Sequence, residues 1–289
     1  MLKRLQSNTY SKKILDCFLV ADEIKNTAIE LMKNLNIQPK VTIILPTNAS
    51  EKARIDSANY VTKKHKVFEQ ISIPMQVIRK SPQYNKIHIK ELIKDLSNDI
   101  SNTGIIVQLP FPSGYFVNKN NILDTIPIYK DIDELTLGIK PATPLEICNI
   151  FDYYNIPTKG KHIVIMVKDQ LVGQPLACML MGPPYNATVT TCDIHTENID
   201  KITKNADILI IAIGKALYVN EDLVKPDAIV IDASINKIPS NFTNGTAKVV
   251  GDVNHSVYEK CQYYTPVPGG VGLLTVSSLA FNAINASIL

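Results

Sequence analysis

Tyr60 and Lys64 stand four residues apart, so a helix through them sets an aromatic ring and an amine on one face. An ordinary lysine titrates near ~10.4 and exchanges protons near neutrality only where desolvation or a nearby cation favours its neutral form. By itself such a pair is commonplace on amphipathic helices. Three other segments give it company. Gln108-Leu109-Pro110 ends an apolar run, and the C-terminal edge of a parallel sheet is where ligands are normally met. Asp131-Ile132-Asp133 follows as a loop with two carboxylates. Thr265-Pro266-Val267-Pro268-Gly269-Gly270-Val271-Gly272 concentrates three glycines, which permit backbone conformations and close ligand approach that side chains block.

The surrounding pattern says what must hold these groups. Strand-like runs at residues 41–45, 75–78, 104–109, 162–167, 188–191, 207–213 and 228–232 alternate with helical patterns, which predicts parallel α/β sheets. Several runs are apolar without strict alternation, as in a doubly wound sheet covered by helices on both faces. Residues 14–35 and 88–96 carry apolar side chains at helical spacing. Asn48, with Glu51 three residues on, forms a capping box that starts a helix before Tyr60. Thr143-Pro144 marks another helix start, running through Ile147, Ile150 and Phe151 between two domains. The boundaries expected are 1–145 for a first domain and 146–273 for a second, with a last helix over 274–289 returning to the first.

With 289 residues, 45% apolar and 20% charged, the chain has material for two cores and the balance of a folded globular protein. Its basic residues, 30 against 27 acidic, are scattered, so there is no electrostatic footprint for nucleic acid and the expected partners are small molecules. No uninterrupted apolar run approaches ~18 residues, and no apolar core of a secretory signal follows the mildly basic N-terminal stretch. Neither membrane spanning nor secretion is expected. Cys17, Cys148, Cys178, Cys192 and Cys261 lie far apart with no C-x-x-C pair, as in reduced intracellular proteins. Neither they nor the histidines show ligand spacing, so no metal is expected.

Taken together, the motifs resemble the bifunctional methylenetetrahydrofolate dehydrogenase/methenyltetrahydrofolate cyclohydrolase family over nearly the whole chain. The resemblance rests on Tyr60-Val61-Thr62-Lys63-Lys64, Val107-Gln108-Leu109-Pro110, Lys130-Asp131-Ile132-Asp133, Pro141-Ala142-Thr143-Pro144, Val172-Gly173-Gln174-Pro175, Ala187-Thr188-Val189-Thr190, Val250-Gly251-Asp252-Val253 and the glycine-rich segment. It implies an α/β, two-domain protein: an N-terminal folate-binding catalytic domain and a Rossmann-like NAD(P)-binding domain, with folate in a cleft between them. Carried over by position, Tyr60 stacks on the folate ring, Lys64 is the catalytic lysine, Gln108 orients it and Asp133 anchors the pterin. Leu109, Pro110, Pro268, Gly269 and Gly270 complete the substrate side. Lys168, Asp169, Val172, Gly173, Gly214, Ile235, Gly272 and Thr275 make up the cofactor side. These residue types suit the roles. The Gln108 carbonyl can accept from Lys64 without adding a negative charge, and the Asp133 carboxylate can accept from pterin N–H groups. A cytoplasmic homodimer acting on tetrahydrofolate one-carbon derivatives is also implied.

The cofactor half departs from the family pattern. Val167-Lys168-Asp169 stands where the family has Gly-Arg-Ser, and Cys192-Asp193-Ile194-His195-Thr196 where it has Cys-His-Ser-x-Thr. Ser234 and Glu146 replace glycines, Leu273 replaces a proline, and the stretch between Asp133 and Pro141 is shortened. Asp169 would repel a 2'-phosphate, so the expected cofactor is NADP or NAD, and G-x-G-x-x-G is absent. The expected activity is oxidation of methylenetetrahydrofolate followed by hydrolysis to the 10-formyl product, the hydrolysis being better supported. Three alternatives stay open: a monofunctional cyclohydrolase, a noncatalytic folate-binding or oligomerisation protein, and a Rossmann oxidoreductase for another small substrate.

Overall fold

The computed structural model describes residues 13–46, 51–80, 86–109, 120–133, 142–168, 170–239 and 247–288. Its first half runs α1 (Cys17–Leu35), β1 (Val41–Pro46), α2 (Glu51–Gln70), β2 (Met75–Lys80), α3 (Lys86–Asn98), β3 (Gly104–Val107) and α4 (Asn120–Leu123). Its second half runs α5 (Ala142–Tyr153), β4 (His162–Val167), α6 (Gln170–Met181), β5 (Thr188–Cys192), α7 (Ile199–Thr203), β6 (Ile208–Ala212), β7 (Ile229–Asp232), β8 (Asn236–Ile238), β9 (Lys248–Val250), α8 (Val257–Lys260), β10 (Tyr263–Tyr264) and α9 (Val271–Ile288).

The chain divides into two compact units: Asp22–Ala142 with Val276–Leu289, and residues up to Ala21 with Thr143–Thr275. In the first, β1 and β3 of a parallel sheet of order β2-β1-β3 are buried along their whole length, as strands covered on both faces are. Val41, Ile43 and Leu45 of β1 pack with Phe68 of α2 and with Leu279, Ala280 and Ala283 of α9. Ile44, on the opposite face, joins Ile89 and Ile93 of α3. α9 is long and apolar enough to cross a membrane by length and composition alone, yet 56% of it is buried and its Leu279 and Ile284 lie in this core.

In the second unit a parallel five-stranded sheet has the order β10-β7-β6-β4-β5, and β8 and β9 form a separate antiparallel pair. From β4 the chain goes to β5 on one side and then to β6 on the other. The order therefore reverses between β4 and β6, where doubly wound sheets open a crevice for ligands.

Lys13–Ala21 group with the five-stranded unit, where Leu15 N–H donates to Tyr264 O at 2.8 Å and Tyr264 N–H to Lys13 O at 2.8 Å, extending the sheet edge. For the same reason α1 starts at Cys17 instead of residue 14. Asp16 Oδ1 accepts the Phe18 N–H at 2.9 Å there, ending the extended segment with a local cap. Asn48, half of the expected capping box, lies outside the described residues.

Candidate functional site

On α2, Ser57, Val61, Lys64 and Phe68 recur at helical spacing, and all four are buried. Lys64 thus occupies a core-facing position, and its side chain is only 1% exposed. Taking an ammonium out of water costs several kcal/mol unless it is paired. The partner is Asp133, whose Oδ2 lies 3.1 Å and Oδ1 3.4 Å from Lys64 Nζ. The same ammonium sits 4.9 Å from the centroid of the Tyr60 ring, within cation–π range.

Asp133 is held by the segment before it. Ile105 N–H of β3 donates to Lys130 O at 2.7 Å, and Lys130 Nζ donates to Asp99 O at 2.8 Å. Asn282 of α9 donates to Ile132 O at 2.9 Å. Gln108, just beyond β3, donates its Nε2 to Leu109 O at 2.8 Å, and its Oε1 is buried without a hydrogen-bond partner among the described residues. The expected bond from Lys64 to Gln108 is therefore not formed, since the carboxylate is the stronger acceptor for a buried cation. An orphaned buried acceptor is what a ligand donor would satisfy. Tyr60, Lys64, Gln108, Leu109 and Asp133 thus fall in one unit, and Pro110 lies outside the described residues.

Pro268, Gly269 and Gly270 belong to the other unit. Gly269 has φ +99°, in the region that favours glycine, and a Cβ on Gly270 would collide with Pro266 O. Gly272 lies so close to Ile235 that a Cβ would meet Ile235 Cδ1 at 2.7 Å, which brings two expected cofactor residues together. Thr275 Oγ1 instead donates to the buried Glu146 at 2.9 Å.

A cavity of about 560 Å³ opens at the C-terminal ends of β4 and β5, lined by Lys168 and Gly173 among others. Val172, Gly214, Ile235, Gly272 and Thr275 do not line it, and Asp169 lies outside the described residues. Gly173 packs tightly on the strand it follows, since a Cβ would meet Val167 Cγ2 at 2.6 Å. A smaller cavity of about 180 Å³ at the β4–β6 switch point is lined by Ile194, Ile199, Ile213 and Tyr218, and by Asp193, which also lines the larger one. Together, a crevice at the switch point, a helix starting beyond β4 and an apolar slot fit a dinucleotide.

Sequence reasoning gave no role to the acids that shape this edge. Asp252 accepts backbone N–H bonds from Ile213 at 2.7 Å, Gly214 at 2.8 Å and Lys215 at 2.6 Å, plus Ser234 Oγ at 2.5 Å. Asp232 accepts from Ser234 N and Val253 N, and burial, reinforced by Asp252, pushes its carboxyl up to about 7. The available signal was Gly251 before Asp252, where a Cβ would strike the Asp232 carboxylate. Among the described residues no cluster of three His, Cys, Asp or Glu is placed to hold a metal.

The family model described as tetrahydrofolate dehydrogenase/cyclohydrolase, catalytic domain, matches residues 15–133, and that described as the NAD(P)-binding domain matches residues 141–288. The chain belongs to the tetrahydrofolate dehydrogenase/cyclohydrolase family. The resemblance read from the motifs is borne out, and an unrelated Rossmann oxidoreductase is set aside. A relative in this family, the bifunctional protein FolD of Thermodesulfovibrio yellowstonii, is 35% identical over 294 residues, covering 96% of this chain and 98% of its own. The crystal structure of the bifunctional enzyme FolD from Campylobacter jejuni has a TM-score of 0.86 at 32% identity, covering 95% of this chain and 98% of that one. The Trypanosoma brucei FolD, complexed with NADP and an inhibitor, has a TM-score of 0.84 at 25% identity, covering 95% and 97%.

Proposed function

We propose that the chain oxidises 5,10-methylenetetrahydrofolate to the methenyl form and hydrolyses that to 10-formyltetrahydrofolate. The observation that carries the reading is the buried Lys64 on α2, paired with Asp133 and beside the Tyr60 ring, in the unit that also holds the orphaned Gln108 acceptor. Tyr60 offers its face to the flat folate ring. The Asp133 carboxylate accepts the pterin's N–H donors, and in doing so gives up Lys64. A buried amine deprived of its counter-charge favours its neutral form and can take a proton. Gln108 Oε1 is then the neutral acceptor that orients it.

In the hydrolytic step the Lys64 amine takes a proton from the water that attacks the methenyl carbon. It then returns a proton to the ring nitrogen that leaves as the five-membered ring opens, and the reaction releases one net proton. When bound, a nicotinamide dinucleotide, NADP or NAD, would accept hydride from the methylene carbon in the preceding oxidation. On this chain Lys168 and Gly173 would hold it at the C-terminal ends of β4 and β5, with Gly214, Ile235, Gly272 and Thr275 toward its nicotinamide. The NADP in the trypanosomal relative supports a dinucleotide. Family resemblance supports a cytoplasmic homodimer, which sedimentation of the purified chain would test.

An absorbance assay separates the two halves. Methylenetetrahydrofolate is supplied with each nicotinamide in turn, then methenyltetrahydrofolate alone. Both reactions are expected. Hydrolysis without hydride transfer would leave a monofunctional cyclohydrolase, and neither reaction would leave a folate-binding protein.

A further inference from the structure

We infer that Asp193 reads the adenosine ribose of the dinucleotide, accepting its 2'- and 3'-hydroxyls and rejecting a 2'-phosphate, so that the chain takes NAD in preference to NADP. This rests on the proposal that the crevice of the five-stranded unit holds a dinucleotide, and deepens it by naming the residue that selects between the two.

Asp193 is the first residue beyond β5, the strand beside β4, and it follows Gly173 by 20 residues. In doubly wound folds an acid about 20 residues past the glycine that packs the first helix on its strand is placed to bond ribose hydroxyls, and Gly173 of α6 packs on Val167 in that way. Position in space agrees with position in sequence. Asp193 lines both cavities: the smaller with Ile194, Ile213, Tyr218 and Lys215, whose apolar walls suit a flat base, and the larger with Lys168 and Gly173. A ribose joins base to phosphates, so it belongs where the two cavities meet.

The carboxylate is fixed for this task. Its Oδ1 accepts the His195 N–H at 2.9 Å and the Thr196 hydroxyl at 3.2 Å, and its Oδ2 accepts no hydrogen bond among the described residues. The His195 N–H foremost, and then Thr196, lower its pKa, so it is a carboxylate at neutral pH. Such a group accepts from vicinal hydroxyls and repels a phosphate dianion. Lys168 lines the larger cavity and Lys215 the smaller, but neither ammonium has the guanidinium fork that grips a phosphate, and Lys215 Nζ is drawn over the Tyr218 ring at 4.2 Å from its centroid.

The test is calorimetric titration of the full chain with ADP-ribose and with 2'-phospho-ADP-ribose, fragments that carry no nicotinamide and so report binding independently of turnover. The wild type is expected to bind ADP-ribose at least ~10-fold more tightly, a factor that corresponds to ~1.4 kcal/mol. Asp193→Asn and Asp193→Ser should each erase or reverse that ratio by improving binding of the phosphorylated fragment, with unfolding temperatures unchanged because Asp193 is exposed. Equal or tighter wild-type binding of 2'-phospho-ADP-ribose, or a ratio unmoved by both substitutions, would overturn the inference alone. Binding of neither fragment would overturn the dinucleotide reading with it.

Discussion

Lys64 stands in a helix stripe whose next member is Phe68, a place where a leucine would pack without cost. Keeping an ammonium there is explained by chemistry rather than stability, since a buried ion pair is often no better than an apolar side chain. Lys64→Met should therefore lower methenyltetrahydrofolate hydrolysis at least ~100-fold, while urea unfolding should report a loss of about 3 kcal/mol or less, because Asp133 is left without its counter-charge but is 16% exposed. Gln108→Glu should also depress hydrolysis by roughly 100-fold at neutral pH, because a second carboxylate would hold the lysine in its charged form. A pH–rate profile checks it: activity in that variant should recover as pH rises. Tyr60, Lys64 and Gln108 were legible in the sequence as motif members. The contact of Lys64 with Asp133 was not, since 69 residues separate them and no local pattern says which acceptor a buried lysine will choose.

At the scale of elements, Phe68 is the largest apolar side chain that α2 buries against its sheet among the described residues. Phe68 is fully buried between α2 and β1, so Phe68→Ala should cost about 3–5 kcal/mol, read as a shift in denaturation midpoint. α6 gives a different handle. Cys178 is exposed and lines the larger cavity, whereas Cys17, Cys148, Cys192 and Cys261 are buried. Burial pushes Cys17 up to about 12 and Cys261 up to about 11, which keeps those thiols inert. Alkylation of the native chain should modify Cys178 alone, and saturating ADP-ribose should slow it several-fold, as mass spectrometry would show. The apolar strands β1 to β7 were all legible, because each is long enough to carry a pattern. β8, β9 and β10 were not: with two or three residues each they are set by pairing with distant chain, as Tyr264 is with residues 13–15.

For the molecule as a whole, Asp232 ties stability to pH. Its carboxyl is raised in the folded state, chiefly by burial, so the fold binds its proton more tightly than the unfolded chain does. Stability from this group is full below the unfolded value near ~3.9 and is lost as pH rises to about 7. Urea midpoints should fall between about pH 4 and about pH 7, and Asp232→Asn should flatten that fall. The two-domain plan was legible from the alternation of strands and helices. The exchange of the N-terminal segment to the second sheet was not, because three residues of backbone pairing leave no apolar signature. The central claim is that the Lys64 site performs hydrolysis on folate, and the most direct measurement follows the absorbance of methenyltetrahydrofolate at neutral pH without nicotinamide, with wild type and Lys64→Met side by side. Hydrolysis well above the uncatalysed rate by the wild type, lost in a folded Lys64→Met, is the predicted result. A wild type no faster than buffer, or a variant as fast as wild type, would contradict the account.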